Sequence, residues 1–219
     1  MGSQKTISIR KSKRIADVTV KFLGNYAILI LLLVFTVSLT SCNNDDVEIK
    51  VLSDQEKADL IFLREEEKLA RDVYLYSFDK YNQSIFSNIS NSEQSHINSV
   101  ISLLNNYGLT DPFEGNAEGV FDDAILQSLY DELTSKADIS LTSALEVGAT
   151  IEELDIHDIT TFISHTSNAD LLDTYSILTC GSRNHLRSFV GLLETFTPSY
   201  ISQTEYDTII NSEKEKCGV

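Results

Sequence analysis

Apolar and polar positions divide the chain into four long stretches of helical period, separated by short polar breaks and one long turn-rich link. "SDQE", Ser53 to Glu56, has the form of a capping box, in which the serine caps a helix and the glutamate bonds back. It predicts a first helix from Ser53 to about Lys80. A second is predicted over residues 85–107, stopped by Gly108 as a C-terminal glycine. "LTDPFEGNAEGVFDD", Leu109 to Asp123, is a turn-rich connection. A shorter helix over 124–136 then crosses the end of the molecule. The third long helix is predicted over 140–165 despite Gly148, and the fourth over 169–196 behind the start signal "SNAD". A short polar helix over 203–216 closes the chain. Short loops make the members of each pair antiparallel, and the long link between pairs is the pattern of a four-helix bundle with one crossover.

Several ionisable residues interrupt the apolar stripes. In the second helix Ile85, Phe86, Ile89, Ile97, Val100, Leu103, Leu104 and Tyr107 form one stripe at 100° per residue, and Glu93 and His96 fall inside it. Residues three apart share a face, so the two side chains of this Glu-x-x-His can reach one point. In the third helix Glu152 and Asp155 fall on the side of Leu145, Ile151, Ile156 and Ile159, whereas Glu153 and His157 point away and are expected in solvent. In the fourth, His185 lies within the face of Leu178, Leu186 and Phe189, with Ser182 one turn before it and Arg183 and Arg187 directed outward. In the first, "REEEKLARDVYLY" places Glu67 with Leu60, Leu63, Ala70 and Tyr74, and Glu66 beside a second stripe of Phe62, Leu69 and Val73. Glu65 falls with Lys68 and Asp72 on the polar side. Periodicity rejects Glu65 and leaves Glu66 and Glu67 as rivals.

A carboxylate in a bundle core is costly unless it is paired or bound to a cation. Arg64 and Arg71 are available as partners, and a lone core histidine is most often a packing residue. A set spread over four helices is harder to absorb that way. Carboxylates with some imidazole, and no cysteine among them, suit iron or manganese.

Charge narrows the function classes. The chain is acidic, with a formal net charge of -16, and carries no basic face, nucleic-acid motif or Gly-rich phosphate loop. Nucleic acid is therefore excluded as a partner. The N-terminus differs in kind: Lys5, Arg10, Lys11, Lys13, Arg14 and Lys21 precede the apolar run "AILILLLVFTVSLT", Ala27 to Thr40. A basic region, an apolar stretch and small residues form an export signal. "LTSC", Leu39 to Cys42, resembles the lipobox of bacterial lipoproteins, in which the cysteine is lipidated and becomes the first mature residue. This gives a signal peptide at 1–41, a tether at 42–52, a bundle at 53–197 and a tail at 198–219. The expected location is the bacterial cell envelope, with the membrane reached through a lipid on Cys42. Residues 1–41 hold six of the 17 basic residues and one of the 33 acidic ones, so the remainder carries -21. Cys180 and Cys217 remain; one lies in a predicted helix and the other in a polar tail, and they are expected to stay unpaired.

"EEEKLARDVY", "IFSNISNSEQSH", "GATIEELDIHDI" and "GSRNHLRSF" resemble the signature blocks of the DUF2202 family, uncharacterised domains of the ferritin-like superfamily. The resemblance spans about residues 52–197 and implies an all-α, ferritin-like four-helix bundle with a long crossover containing an extra short helix. Bacterioferritins and rubrerythrins carry Glu-x-x-Ala-x-x-x-Tyr on the first helix, and Glu67, Ala70 and Tyr74 match it. The resemblance therefore moves the choice to Glu67, with Glu66 beside it. It implies a metal site of Glu67, Glu93, His96, Glu152 and His185, with Asp155 where rubrerythrins have a second acid. One departure stands out: the fourth helix should read Glu-x-x-His but reads Ser182-Arg183-Asn184-His185, so one bridging carboxylate is missing. The expected cofactor is one or two iron or manganese ions, and the expected role is handling of oxygen or peroxide. The alternative is a metal-binding or acidic interaction module without turnover.

Overall fold

The computed structural model describes residues 51–218. The signal peptide, Cys42 and most of the tether lie outside the described residues. Among those described, six α-helices and no strands are found: α1 (Asp54–Tyr81), α2 (Ser84–Asn106), α3 (Ala124–Ala137), α4 (Leu141–Ser164), α5 (Ala169–Val190) and α6 (Gln203–Ile210). The capping box forms as read: Ser53 Oγ accepts from Glu56 N, and the Glu56 carboxylate accepts from Ser53 N at 2.7 Å. α1 ends on Asn82, which takes the left-handed conformation (φ 49°) and bonds back to Phe78 O, so α2 can return at once. Gly108, at φ 69°, ends α2 in the same way.

α1 pairs with α2 and α4 with α5; α1 then faces α4, and α2 faces α5. The apolar core is in two parts. One gathers Leu69, Val73, Tyr74, Phe86, Ile151 and Phe189; the other gathers Leu60, Leu63, Val100, Leu104, Ile159 and Tyr175. Chain order through these parts makes α1 run antiparallel to α2 and α4, whereas α2 and α4 run the same way. The link between α2 and α4 must therefore travel the length of the bundle, roughly 36 Å for a helix of this size. That is the physical reason for the long crossover and for α3 within it.

The crossover lies on the side of α1 that reads as solvated. Arg64 donates to Asp111 Oδ2 at 2.9 and 2.7 Å. Lys68 is ion-paired with Asp72 and also donates to Ala117 O and Val120 O at 2.8 and 3.1 Å. Glu65 is buried and accepts from Asp122 N and Asp123 N at 2.7 and 3.2 Å. Glu153 likewise departs from expectation. It is buried, and its carboxylate accepts from Ser199 N and Tyr200 N in the segment after α5. His157 is exposed, as its phase predicts. In each reversal, periodicity places the side chain off the bundle axis, and a connection then covers it.

Two helices stop early. α5 ends at Val190, not near residue 196, because Leu192 N and Leu193 N make turn bonds to Phe189 O and Val190 O. Phe196 then packs on Tyr206 of α6, with ring centroids 5.9 Å apart. α6 ends at Ile210, whose neighbour Ile209 O accepts from Arg187 Nε at 2.8 Å. The remaining tail runs back along α5. Arg183 and Arg187 reach Glu215 there, and Asn184 donates to Glu215 O at 3.0 Å. The expectation of unpaired cysteines is overturned: Cys180 and Cys217 form a disulfide, with Cα atoms 5.6 Å apart. No helix of the described residues is long and apolar enough to cross a membrane.

Candidate metal centre

The two apolar clusters are separated by a polar layer. Glu67 of α1, Glu93 and His96 of α2, and Ser182 and His185 of α5 occupy the chain positions between the clusters, and Glu152 and Asp155 of α4 fall just inside the first cluster, between Ile151 and Ile156. Glu67, Glu93, Glu152 and Ser182 are at most 2% exposed. Helical spacing puts Glu93 and His96 one turn apart on a single face, and the same spacing sets Ser182 and His185.

Distances link the layer into one chain of groups. His96 Nδ1 lies 3.2 Å from Glu67 Oε2 and 2.8 Å from Glu93 Oε2. His185 Nδ1 lies 2.8 Å from the other Glu93 oxygen and 3.4 Å from Glu152 Oε2. The two imidazoles are stacked, with centroids 5.7 Å apart. Tyr74 donates its hydroxyl to Glu152 Oε1 at 2.6 Å. Two three-donor groups result, Glu67–Glu93–His96 and Glu93–Glu152–His185, in each of which the donor atoms lie within 4.8 Å of one another. Glu93 belongs to both.

Asp155 belongs to neither group. Ser182 Oγ donates to it across the α4–α5 interface. The residue in the place of the missing fourth-helix acid is thus the one that holds Asp155. Glu66 is also outside both groups; it is buried, no basic side chain pairs with it, and burial with the nearby Asp155 and Asp158 carboxyls raises it well above the usual carboxylate range. Arg64 and Arg71 do not neutralise the layer, since Arg64 is spent on Asp111 and Arg71 on Asp72 and Gln94.

Without a cation the layer is held by protons. Burial pushes Glu67 up to about 7, with His96 pulling the other way. Burial also raises Glu152, and raises Asp155 strongly with the help of the Glu67 and Glu152 charges. Burial opposes charge on the imidazoles, yet Glu93 and Glu152 carry His185 up to about 10, and Glu67 and Glu93 raise His96 well above its ordinary value. Glu93, between two imidazolium rings, is held below the usual carboxylate range despite its burial.

The donors fit a metal ion. Bonds of about 2.1 Å meeting near a right angle place neighbouring donor atoms about 3 Å apart, and the separations here are 2.8 to 3.4 Å. Glu67 Oε1, Glu93 Oε1 and His185 Nδ1 are buried without a hydrogen-bond partner. His185 Nδ1 and Glu93 Oε1 are close, but neither is aimed at the other as donor to acceptor.

Three supporting residues were not assigned from sequence, or only loosely. In sequence Tyr74 fits either packing or support of a ligand, and its bond to Glu152 makes it support. Ser182 stood out only as a departure. Gly181 was missed: a Cβ there would lie 2.6 Å from His96 Nε2, so the absence of a side chain leaves room for the ring. A glycine in mid-helix was the available signal.

The fold and the polar layer define an all-helical bundle protein whose core carries carboxylate–imidazole groups able to hold metal. The chain belongs to the DUF2202 family, described as an uncharacterized protein domain, which residues 56–213 match. Uncharacterized protein MJ0754 of Methanocaldococcus jannaschii is 47% identical over 169 residues, which cover 75% of this chain and 91% of that protein. The crystal structure of hypothetical protein MJ0754 from Methanococcus jannaschii matches with a TM-score of 0.74 at 46% identity, covering 76% of this chain and 97% of that one.

Proposed function

We propose that this protein is an envelope-anchored, ferritin-like metalloprotein that binds two iron or manganese ions in the polar layer and acts on oxygen or peroxide. The observation that carries the reading is the pair of donor groups sharing Glu93. Glu67 and His96 would hold one ion, Glu152 and His185 the other, and Glu93 both. Asp155, positioned by Ser182, stands in reserve as a further carboxylate. With both imidazoles neutral, the three donor carboxylates and Asp155 together carry four negative charges, which match two divalent cations. Such ions supply one-electron chemistry toward oxygen or peroxide. The protein's own residues orient the donors, with Tyr74 fixing Glu152 and Gly181 leaving room for His96, and the two apolar clusters keep bulk water away.

The Cys180–Cys217 disulfide supports an oxidising compartment and so the envelope location. The lipid on Cys42 rests on the lipobox alone; incorporation of labelled fatty acid, lost in Cys42→Ser, tests it. Metal analysis of the purified protein after iron or manganese loading tests the core of the reading. About two equivalents are expected, and less than about half an equivalent of any transition metal overturns it. Peroxide consumption by the loaded protein separates turnover from the second reading, in which the bundle holds metal without reacting. The serine at position 182 favours that second reading, since it leaves one fewer charged oxygen on α5.

A further inference from the structure

The crossover helix α3, with α1, α4 and the segment after α5, lines an open cavity of about 540 Å³. That volume lies within the range of small-molecule sites. Its walls are apolar, formed by Phe62, Leu126, Leu129 and Leu154, and the exposed Ile125 and Tyr200 stand at its rim. Three acids also line it, Glu66, Asp158 and Glu132, and no Lys, Arg or His does. His157 meets Asp158 Oδ1 from the solvent side at 2.8 Å.

Glu66 is the anomaly. It is 4% exposed, no basic side chain pairs with either carboxylate oxygen, and its neighbour across the cleft is another carboxyl, that of Asp158. Every other buried acid of α1 is engaged: Asp59 with His165, Glu65 with backbone amides of the crossover, Glu67 with His96, and Asp72 with Lys68. A buried carboxylate set beside a second carboxyl and without a cation is costly unless a ligand brings one. The lining chemistry says what kind. Three acids with no base select a cation. Among the described residues, the three-donor groups with metal-binding geometry both lie in the polar layer, and neither includes Glu66, Asp158 or Glu132. Apolar walls also cannot replace the oxygen shell that a small divalent ion demands. An organic ammonium suits both halves of the cavity, its N–H groups toward the carboxylates and its apolar body along the leucines and Phe62.

We propose that this cavity is a binding site for a small organic ammonium, a primary amine carrying an alkyl or aryl body, with Glu66 as the anchoring carboxylate. The site does not depend on metal in the polar layer.

Calorimetric titration of the full chain with n-hexylammonium tests it, with ammonium, hexanol and hexanoate as controls. Saturable one-to-one binding of n-hexylammonium is expected, with none of the controls binding over the same range. Glu66→Gln keeps the shape and removes the charge, and should weaken binding roughly 10- to 100-fold, the loss of one charge-assisted hydrogen bond. Circular dichroism and metal content of the same samples check that this variant is folded and its polar layer intact. Equal binding of hexanol, unchanged affinity in Glu66→Gln, or no saturation by n-hexylammonium up to about 10 mM overturns the proposal. A protein that takes up no metal after loading but still binds n-hexylammonium leaves this inference standing while the metal reading falls.

Discussion

Tyr74 of α1 donates a hydrogen bond from its hydroxyl to Glu152 of α4 across 2.6 Å, in a part of the core where both side chains are shut off from water. The bond occupies one oxygen of Glu152 and leaves Oε2 facing His185. Tyr74→Phe removes the donor and little else. Metal affinity should fall by about 10- to 100-fold, as when other groups that orient a ligand are removed. Competition against a calibrated chelator measures it. Unchanged affinity would mean that Glu152 is held by packing alone.

Gly181→Ala should separate folding from metal binding. Alanine favours the helix by roughly 0.5–1 kcal/mol over glycine. The new methyl group, however, would sit 2.6 Å from His96 Nε2 and 2.7 Å from Cε1, so the ring must swing away. The variant should keep its helical content but lose about one of two metal equivalents, read by metal analysis beside circular dichroism. Full metal content would show that His96 tolerates the intrusion.

The metal-free protein should lose stability as pH rises. Burial lifts Glu67 from 4.5 to about 7, and its neighbours lift His185 from 6.5 to about 10. A raised value in the folded state contributes stability that is complete below the unfolded value and is lost as pH climbs through the folded one. For Glu67 the loss runs from about 4.5 to 7, and for His185 from about 6.5 to 10. Glu93 works in the opposite sense, but only in acid, because its folded value is depressed. Melting temperatures of the chelator-treated protein should therefore decline from about pH 5 to 9. Metal competes with these same protons, so loading at neutral pH should release about two or more of them, measurable by calorimetry in buffers of different ionisation enthalpy.

Cutting the tie between the tail and α5 should cost stability without emptying the polar layer. The disulfide joins residues 37 apart in sequence. Chain-entropy arguments put the loss for a loop of that size at about 4 kcal/mol at most. Cys217→Ser should lower the denaturation midpoint by a corresponding amount while leaving metal content unchanged. Loss of metal in this variant would instead make the tail part of the site's support.

The helices and the inward positions of Glu93, His96, Glu152 and His185 were legible because each sits in an apolar stripe of fixed period. The choice of Glu67 over Glu66 was not, since the two are one residue apart and both border apolar stripes. Only the neighbouring helix separates them, and it brings His96 to Glu67. Period also misjudged Glu65, Lys68, Asp72 and Glu153. It reports which side of a helix faces the other three, not what a connection later lays across the far side. The disulfide was hidden for a related reason: Cys217 follows α6, and its place depends on a tail that doubles back to Arg183 and Arg187.

The crossover that shields Glu65 and Lys68 changes the standing of α1 within the molecule. Residues 63 to 70 are all buried, and of the next four only Arg71 is partly open. A helix this charged would ordinarily exchange its amide hydrogens through ready local opening. Here, opening the middle of α1 breaks the polar layer on one side and strips the crossover from its carboxylate and ammonium anchors on the other. Its central amides should therefore be among the slowest in the domain to exchange, released only when the whole bundle comes apart. This highly charged stretch should behave, kinetically, as interior.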